Sequence, residues 1–274
     1  MILLVLIVLG LCLGSFVNAL VWRLHEQAKP DNKRNRPTQL SILHGRSMCP
    51  DCRHKLASID LIPVVSWLML KGKCRYCHKP ISIQYPLVEI LTVILFVISY
   101  YYWPYPLHGY SLAAFIVWLG VLTGFIALVV LDIRWYWLPD RIILPLSIMA
   151  LVEVLLIALA THKLVSNLIG SLIGILIISG SFYLLYILSK GKWIGGGDVK
   201  LGFLIGMLVG GPLYSVLVLF LASTTGTISA LPFFISGKIK RNSLLPFGPF
   251  LILATIITVL FGASIIHWYK NLYS

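Results

Sequence analysis

The chain is poor in charge and poorer still in acid. Only 11% of its 274 residues are Asp, Glu, Lys or Arg, against about 25% in an ordinary soluble domain. That scarcity, with a mean hydropathy of +0.93, excludes a water-soluble globular fold and points to a membrane protein. Nine acidic residues stand against 22 basic ones, so each carboxylate can be weighed singly. Internal repeats and low-complexity tracts are absent, and so is a glycine-rich cofactor-binding fingerprint. The first apolar run, Met1 to Trp22, lacks a basic leader and a small-residue cleavage site. It reads as a retained anchor, not a removable signal peptide.

What the chain does have is long apolar runs, and about 20 such residues suffice to span a bilayer as a helix. Helices are expected over 2–22, 86–103, 110–131, 141–160, 165–189, 199–211, 213–235 and 246–268. The expected fold is an all-α polytopic membrane protein with about eight transmembrane helices and a small cytoplasmic insert. Its parts are a first transmembrane helix (1–22), a four-cysteine domain (23–85) and a transmembrane core (86–274). The weakest point is 199–235, where Gly210-Gly211-Pro212 breaks any helix. Two helices joined by a tight turn fit better than one long span.

Basic residues favour the cytoplasmic side of a membrane. Segment 23–85 holds twelve Lys and Arg, 132–141 two, 190–200 three and 237–242 three, while the opposite side has only Lys163 and Lys270. The expected amino terminus is therefore outside, and the charged segments cytoplasmic. A basic chain can also bind nucleic acid, but charge that alternates with spans speaks for the lipid bilayer as partner and against nucleic acid. Within 23–85, Lys29 to Thr38 reads as a flexible linker.

Cys12 lies in the first apolar run and reads as a small packing residue. The other four cysteines form Cys49-Pro50-Asp51-Cys52 and Cys74-Arg75-Tyr76-Cys77. Two C-x2-C turns each offer two thiolates, and four thiolates suit structural zinc. The metal ligands are expected to be Cys49, Cys52, Cys74 and Cys77. Disulfides or redox chemistry compete, but cytosolic thiols stay reduced, and redox work by one pair leaves the other unexplained. A domain of about 60 residues with few large apolar side chains needs such a staple.

Among the acids, Glu26, Asp31, Asp51 and Asp60 fall in the polar domain and are expected to be solvated. Glu89, Asp132, Asp140, Glu153 and Asp198 lie in or beside spans, where an ionised carboxylate costs roughly 2.5–3.5 kcal/mol at mid-membrane and so needs a partner or a function. Asp140 follows Pro139 and is expected to cap a helix. Asp198 could cap too, and Asp132 could pair with Arg134. Taken together, Asp132 and Asp198 end different spans at one depth, and Gly195-Gly196-Gly197 before Asp198 lets an extended substrate approach. Two such carboxylates sharing a proton are an aspartic protease's machinery, and these two are the expected catalytic pair. Glu153, about 20 Å along its helix from Asp140 at 1.5 Å per residue, has no evident role. Gly202, Gly206 and Gly210 are spaced for close helix packing.

The motifs resemble those of the bifunctional type IV prepilin peptidases. They are Gly14-Ser15-Phe16-Val17-Asn18 with Trp22-Arg23-Leu24, then Ser47 to Cys52, Ile62 to Trp67, Gly72 to Cys77 and Tyr85 to Glu89. Leu131-Asp132, Leu138-Pro139-Asp140, Gly195 to Lys200 and Pro246 to Phe250 complete the set. In that family the first aspartate of the upper motif and the one after the glycines are catalytic, which maps to Asp132 and Asp198. The resemblance implies cleavage of type IV prepilins or pseudopilins at the cytoplasmic face of a bacterial inner membrane. It also implies methylation of the new amino terminus from S-adenosylmethionine. Asp60 stands where asparagine is common and Gln84 where arginine is common, both in the stretch tied to methylation. Glu89 reads either as the acid that orients the amine to be methylated or as an ion-pair partner of the 71–79 basic cluster. A transporter, or a zinc-bearing membrane scaffold without peptidase activity, are the competing classes. A transporter would place its acids nearer the midplane, and a scaffold leaves the aspartates idle.

Overall fold

A computed structural model describes residues 1–29, 40–42, 45–236 and 246–272. Most of the expected linker, with Asp31, and the basic residues Lys238, Lys240 and Arg241 lie outside the described residues. The chain divides into two compact units, Met1–Tyr101 and Tyr102–Ser274.

The first unit contains α1 (Ile2–Ala28), a 3-10 turn (Ser58–Leu61), the short α2 (Val65–Met69) and α3 (Gln84–Tyr102). Helix α1 runs six residues past the expected end at 22. Its polar last turns are held by the chain that follows. The Arg23 guanidinium donates to the carbonyls of Ser41, Ile42 and Gly45, and Gln27 donates to that of Leu40. A side chain at Gly14 would meet Glu89 Cα at 2.7 Å, and one at Gly10 would meet Val93 Cα at 2.9 Å, so α1 and α3 lie backbone to backbone.

The second unit contains α4 (Gly109–Trp135), α5 (Asp140–Thr161), α6 (Leu164–Ser189), α7 (Gly196–Val209), α8 (Pro212–Ile235) and α9 (Gly248–Asn271). The expected break stands at Gly210 and Gly211, whose φ/ψ pairs of +55°/137° and +80°/156° suit glycine alone. The Gly211 N–H donates to Gly170 O of α6 at 2.6 Å. The glycine packing expected of α7 is also present. A Cβ on Gly206 would meet Gly174 O at 2.5 Å, and one on Gly202 would meet Phe182 and Ile178 at 3.0 and 3.3 Å.

All eight expected long helices form, and seven of them are long and apolar enough to cross a membrane. The exception is α7. Its 14 residues cover about 21 Å at 1.5 Å per residue, short of a hydrocarbon core of about 30 Å. The chain is a multi-pass, all-α membrane protein.

Candidate functional site

In the second unit, three helix ends converge. Asp132 lies in the last turn of α4 and is buried, 5% exposed. Asp198 lies in the first turn of α7 and is partly buried. The two carboxylates are within electrostatic reach of each other. The third end is that of α9, where the Gly248 N–H donates to Asp132 Oδ2 at 3.1 Å. A Cβ at Gly248 would stand 2.7 Å from that same oxygen, so this position has room only for glycine. Sequence reasoning gave Gly248 no role. Its only signal was the Pro246 to Phe250 motif, because a contact across 116 residues leaves no local pattern.

Neighbouring contacts fix the three ends. Gly197 fits against Leu138, where a Cβ would meet Leu138 Cβ at 3.0 Å. The Ser179 hydroxyl of α6 donates to Val199 O at 3.0 Å. Asp198 does cap its own helix, accepting the Gly195 N–H on Oδ2 at 3.3 Å, which leaves its other oxygen for further work. Arg134 stacks over Trp135 at 5.7 Å, and the partner of Asp132 is the Gly248 amide.

Asp140 departs from its expected role. Pro139 is the N-cap of α5, no side chain caps that helix, and Asp140 is its first residue. Its exposed carboxylate instead takes Lys200 Nζ at 2.7 and 2.9 Å, tying the start of α5 to the first turn of α7. Glu153 is 3% exposed, and its Oε2 has no hydrogen-bond partner among the described residues.

In the first unit, the four expected metal ligands come together: the Sγ atoms of Cys49, Cys52, Cys74 and Cys77 all lie within 4.8 Å of one another. Zn–S bonds of about 2.3 Å set tetrahedral sulfurs about 3.8 Å apart, and Cys49 Sγ to Cys77 Sγ is 3.9 Å. Each pair sits on the same knuckle. The first is closed by Cys49 N–H to His54 O and Arg53 N–H to Cys49 O, the second by Cys74 N–H to Lys79 O and His78 N–H to Cys74 O. Arg53 and His78 take the left-handed conformation at equivalent points, φ +58° and +56°. Burial and adjacent thiols push the Cys49 thiol up to about 12. A bound cation would reverse that shift by favouring thiolate. The residues present fit a tetrathiolate zinc site.

Among the described acids of this unit, Glu26 and Asp60 are enclosed and engaged, against the expectation that they are solvated, while Asp51 stays exposed as expected. Glu26 is 6% exposed and pairs with Lys29 and with Arg53 at 3.1 Å. Asp51 pairs with Lys79 at 3.0 Å. Asp60 accepts from Arg75 Nε at 2.7 Å, Tyr76 OH at 3.1 Å and the Ala57 N–H at 3.2 Å. Burial pushes the Asp60 carboxyl up, but these donors and the Arg75 charge hold it below its ordinary value. Glu89 makes no ion pair with the 71–79 cluster. It accepts the Val64 N–H at 2.7 Å and the Ser15 hydroxyl. Close by, Gln84 donates to Asn18 Oδ1 at 3.3 Å, and Asn18 donates to Tyr85 O at 3.0 Å.

Two family profiles match the chain, one within or nearly within each unit: the bacterial peptidase A24 N-terminal domain over residues 8–103, and the type IV leader peptidase family over 119–231. The chain is 33% identical to a prepilin leader peptidase/N-methyltransferase of Dichelobacter nodosus, covering 93% of this chain and 90% of the relative. It is 35% identical to a type 4 prepilin-like proteins leader peptide-processing enzyme of Escherichia coli O78:H11, covering 91% and 90%. It is 30% identical to a prepilin leader peptidase/N-methyltransferase of Bacillus subtilis, covering 97% and 96%. No solved structure matches it. The protein with paired aspartates at its converging helix ends and four clustered thiols belongs to the type IV leader peptidase family.

Proposed function

We propose that this chain cleaves the leader peptide from type IV prepilins or pseudopilins, with Asp132 and Asp198 as the catalytic pair, and then methylates the new amino terminus. The observation that carries the peptidase reading is that two carboxylates from different helices lie within electrostatic reach of each other, one buried on a backbone amide and one half-capped. Close carboxylates do not both ionise readily, so the pair holds one proton between them. The ionised member takes a proton from water as its oxygen attacks the scissile carbonyl carbon. The protonated member gives its proton to the carbonyl oxygen. When the C–N bond breaks, the leaving amine takes one proton from the pair and a hydroxyl of the tetrahedral diol returns one to it as the carbonyl re-forms. The Gly248 N–H on Asp132 Oδ2 orients that carboxylate.

The membrane is a bacterial inner membrane, the amino terminus is outside, and the aspartates face the cytoplasm. The distribution of basic residues supports this orientation. Zinc on Cys49, Cys52, Cys74 and Cys77 is structural. S-adenosylmethionine supplies the methyl group. Glu89, held by Val64 and Ser15, positions the free amine, which has a pKa of about 7.7–8.0 and reacts in its neutral form.

The test is co-expression with candidate prepilins, reading mature amino termini by mass spectrometry. Asp132→Asn or Asp198→Asn lowers cleavage by about 100- to 10,000-fold, the usual worth of general acid–base catalysis, while the protein still inserts. Asp140→Asn, which weakens an exposed ion pair, keeps most of the activity. An active Asp132→Asn beside a dead Asp140→Asn overturns the assignment. Glu89→Gln leaves cleavage intact and yields mature pilin lighter by one CH2. Loss of cleavage in that variant places Glu89 in the peptidase or in the fold instead.

A further inference from the structure

The segment between the two cysteine knuckles lies along the start of α3. The Val64 N–H donates to Glu89 Oε2 at 2.7 Å, and Trp67 Nε1–H donates to Ile81 O at 3.1 Å. Glu89 lies five residues beyond Gln84, where α3 starts. At 1.5 Å per residue, Val64 is pinned about 7.5 Å along that helix. Helix α3 is itself long and apolar enough to cross a bilayer. The segment therefore stands at the depth where a spanning helix enters lipid.

Its composition suits that depth. Ile59, Leu61, Ile62, Val65, Leu68 and Met69 are 50%, 39%, 44%, 47%, 62% and 67% exposed. Six large apolar side chains left open within one stretch of twelve residues mark a contact surface. On α3 and just before it, Leu87 and Ile83 are 54% and 65% exposed, so the apolar surface continues onto the span. The sole acid between 58 and 69 is Asp60, and Arg75 neutralises it. Lys71 and Lys73, immediately after the segment, are exposed. An apolar face edged by cations complements an anionic lipid surface.

We propose that segment 58–69 is a membrane-docking surface: its apolar side chains enter the headgroup–acyl boundary beside α3, and Lys71 and Lys73 bind anionic phospholipid headgroups. The cysteine-knuckle region is then held to the bilayer by three attachments, α1, α3 and this segment. Docking also keeps the Val64 amide on Glu89, in a conformation (φ +59° at Val64) that a non-glycine residue adopts only when its surroundings hold it there. The proposal is independent of which bond the protein cuts.

The test is photocrosslinking of the full-length protein in nanodiscs, with p-benzoylphenylalanine replacing Met69 and, in a second preparation, Leu68. Retained zinc content shows that each variant is folded. Mass spectrometry is expected to find phospholipid adducts at both positions. The yield should be higher with phosphatidylglycerol than with phosphatidylcholine, and Lys71→Gln with Lys73→Gln should abolish that difference. Adducts to residues 102–274 of the chain itself, adducts to co-reconstituted prepilin in place of lipid, or no adduct at all would overturn the docking. Equal yields in the two lipids would overturn the headgroup part.

Discussion

Around the cysteine knuckles, elements are joined by polar atoms that can be named pair by pair. The four thiols, Asp60 with Arg75 and Tyr76, Asp51 with Lys79 and Glu26 with Arg53 form the joints. In the helix bundle the joints are made by missing atoms. Helices α6 and α7 approach through Gly174 and Gly206, where a Cβ on Gly174 would lie 2.2 Å from Gly206 O. The difference follows from the solvent. In lipid there is little hydrophobic gain from pressing apolar helices together, so close packing of small residues must hold them. A small polar region has too little core for that, and directed bonds take over.

Three perturbations test this contrast. The largest effect belongs to the thiols. Cys77→Ser removes one of the four proposed ligands, and zinc bound at such a site would contribute on the order of 10 kcal/mol to folding. Zinc content should fall and amide exchange should quicken across 45–83, with the bundle's exchange unchanged and cleavage reduced less than by loss of an aspartate. Stoichiometric folding without metal would break the comparison. Next comes the bundle. Gly174→Val places side-chain atoms where Gly206 O now lies, and overpacking of this kind costs about 1–3 kcal/mol. A lower thermal midpoint in detergent with zinc retained is the expected result, and an unchanged midpoint would show that the helices are not held by this contact.

The smallest effect is that of Asp60→Asn. The Asp60 carboxylate is enclosed, but Arg75 is 45% exposed, so solvent screens the pair to about 0–1 kcal/mol; Asn can still accept the Ala57 N–H, and amide exchange at 58–61 should quicken only slightly. The pH dependence has a definite sign. The folded Asp60 carboxyl lies below its ordinary value. Its contribution is therefore complete above the unfolded value of about 3.9 and is lost as pH falls through the lower folded one. The gap between wild type and Asp60→Asn should persist at neutral pH and close only in strong acid.

The parts legible in the sequence were those written within a few residues of one another. Apolar runs gave the eight long helices, Gly210-Gly211-Pro212 gave the break, and two C-x2-C turns gave the thiol cluster. What stayed hidden depends on partners far along the chain. Asp140 looked like a cap because Pro139 precedes it, but Lys200 claims it from 60 residues away. Glu26 and Asp60 looked solvated because the sequence around them is polar, and Arg53 and Arg75 reach them only after the knuckles close. The extra turns of α1 were hidden for the same reason: Arg23 needs carbonyls from 41–45 before its buried position is tolerable.

The hydrogen bond from Ser179 to Val199 sets a depth gauge. Helix α6 has 26 residues, about 39 Å at 1.5 Å per residue, and Ser179 lies ten residues before its last residue, Ser189. With α6 centred on a hydrocarbon core of about 30 Å, Val199 and its neighbour Asp198 stand roughly 10 Å beneath the bilayer surface. On the proposed mechanism, an extended chain advancing about 3.3 Å per residue would need roughly three residues of unwound peptide to descend before its scissile bond met the carboxylates. Folded proteins cannot follow. On that mechanism, what passes would be a segment already loosened at the point where a tail joins a membrane-embedded helix, and the bilayer itself would become the sieve that chooses it.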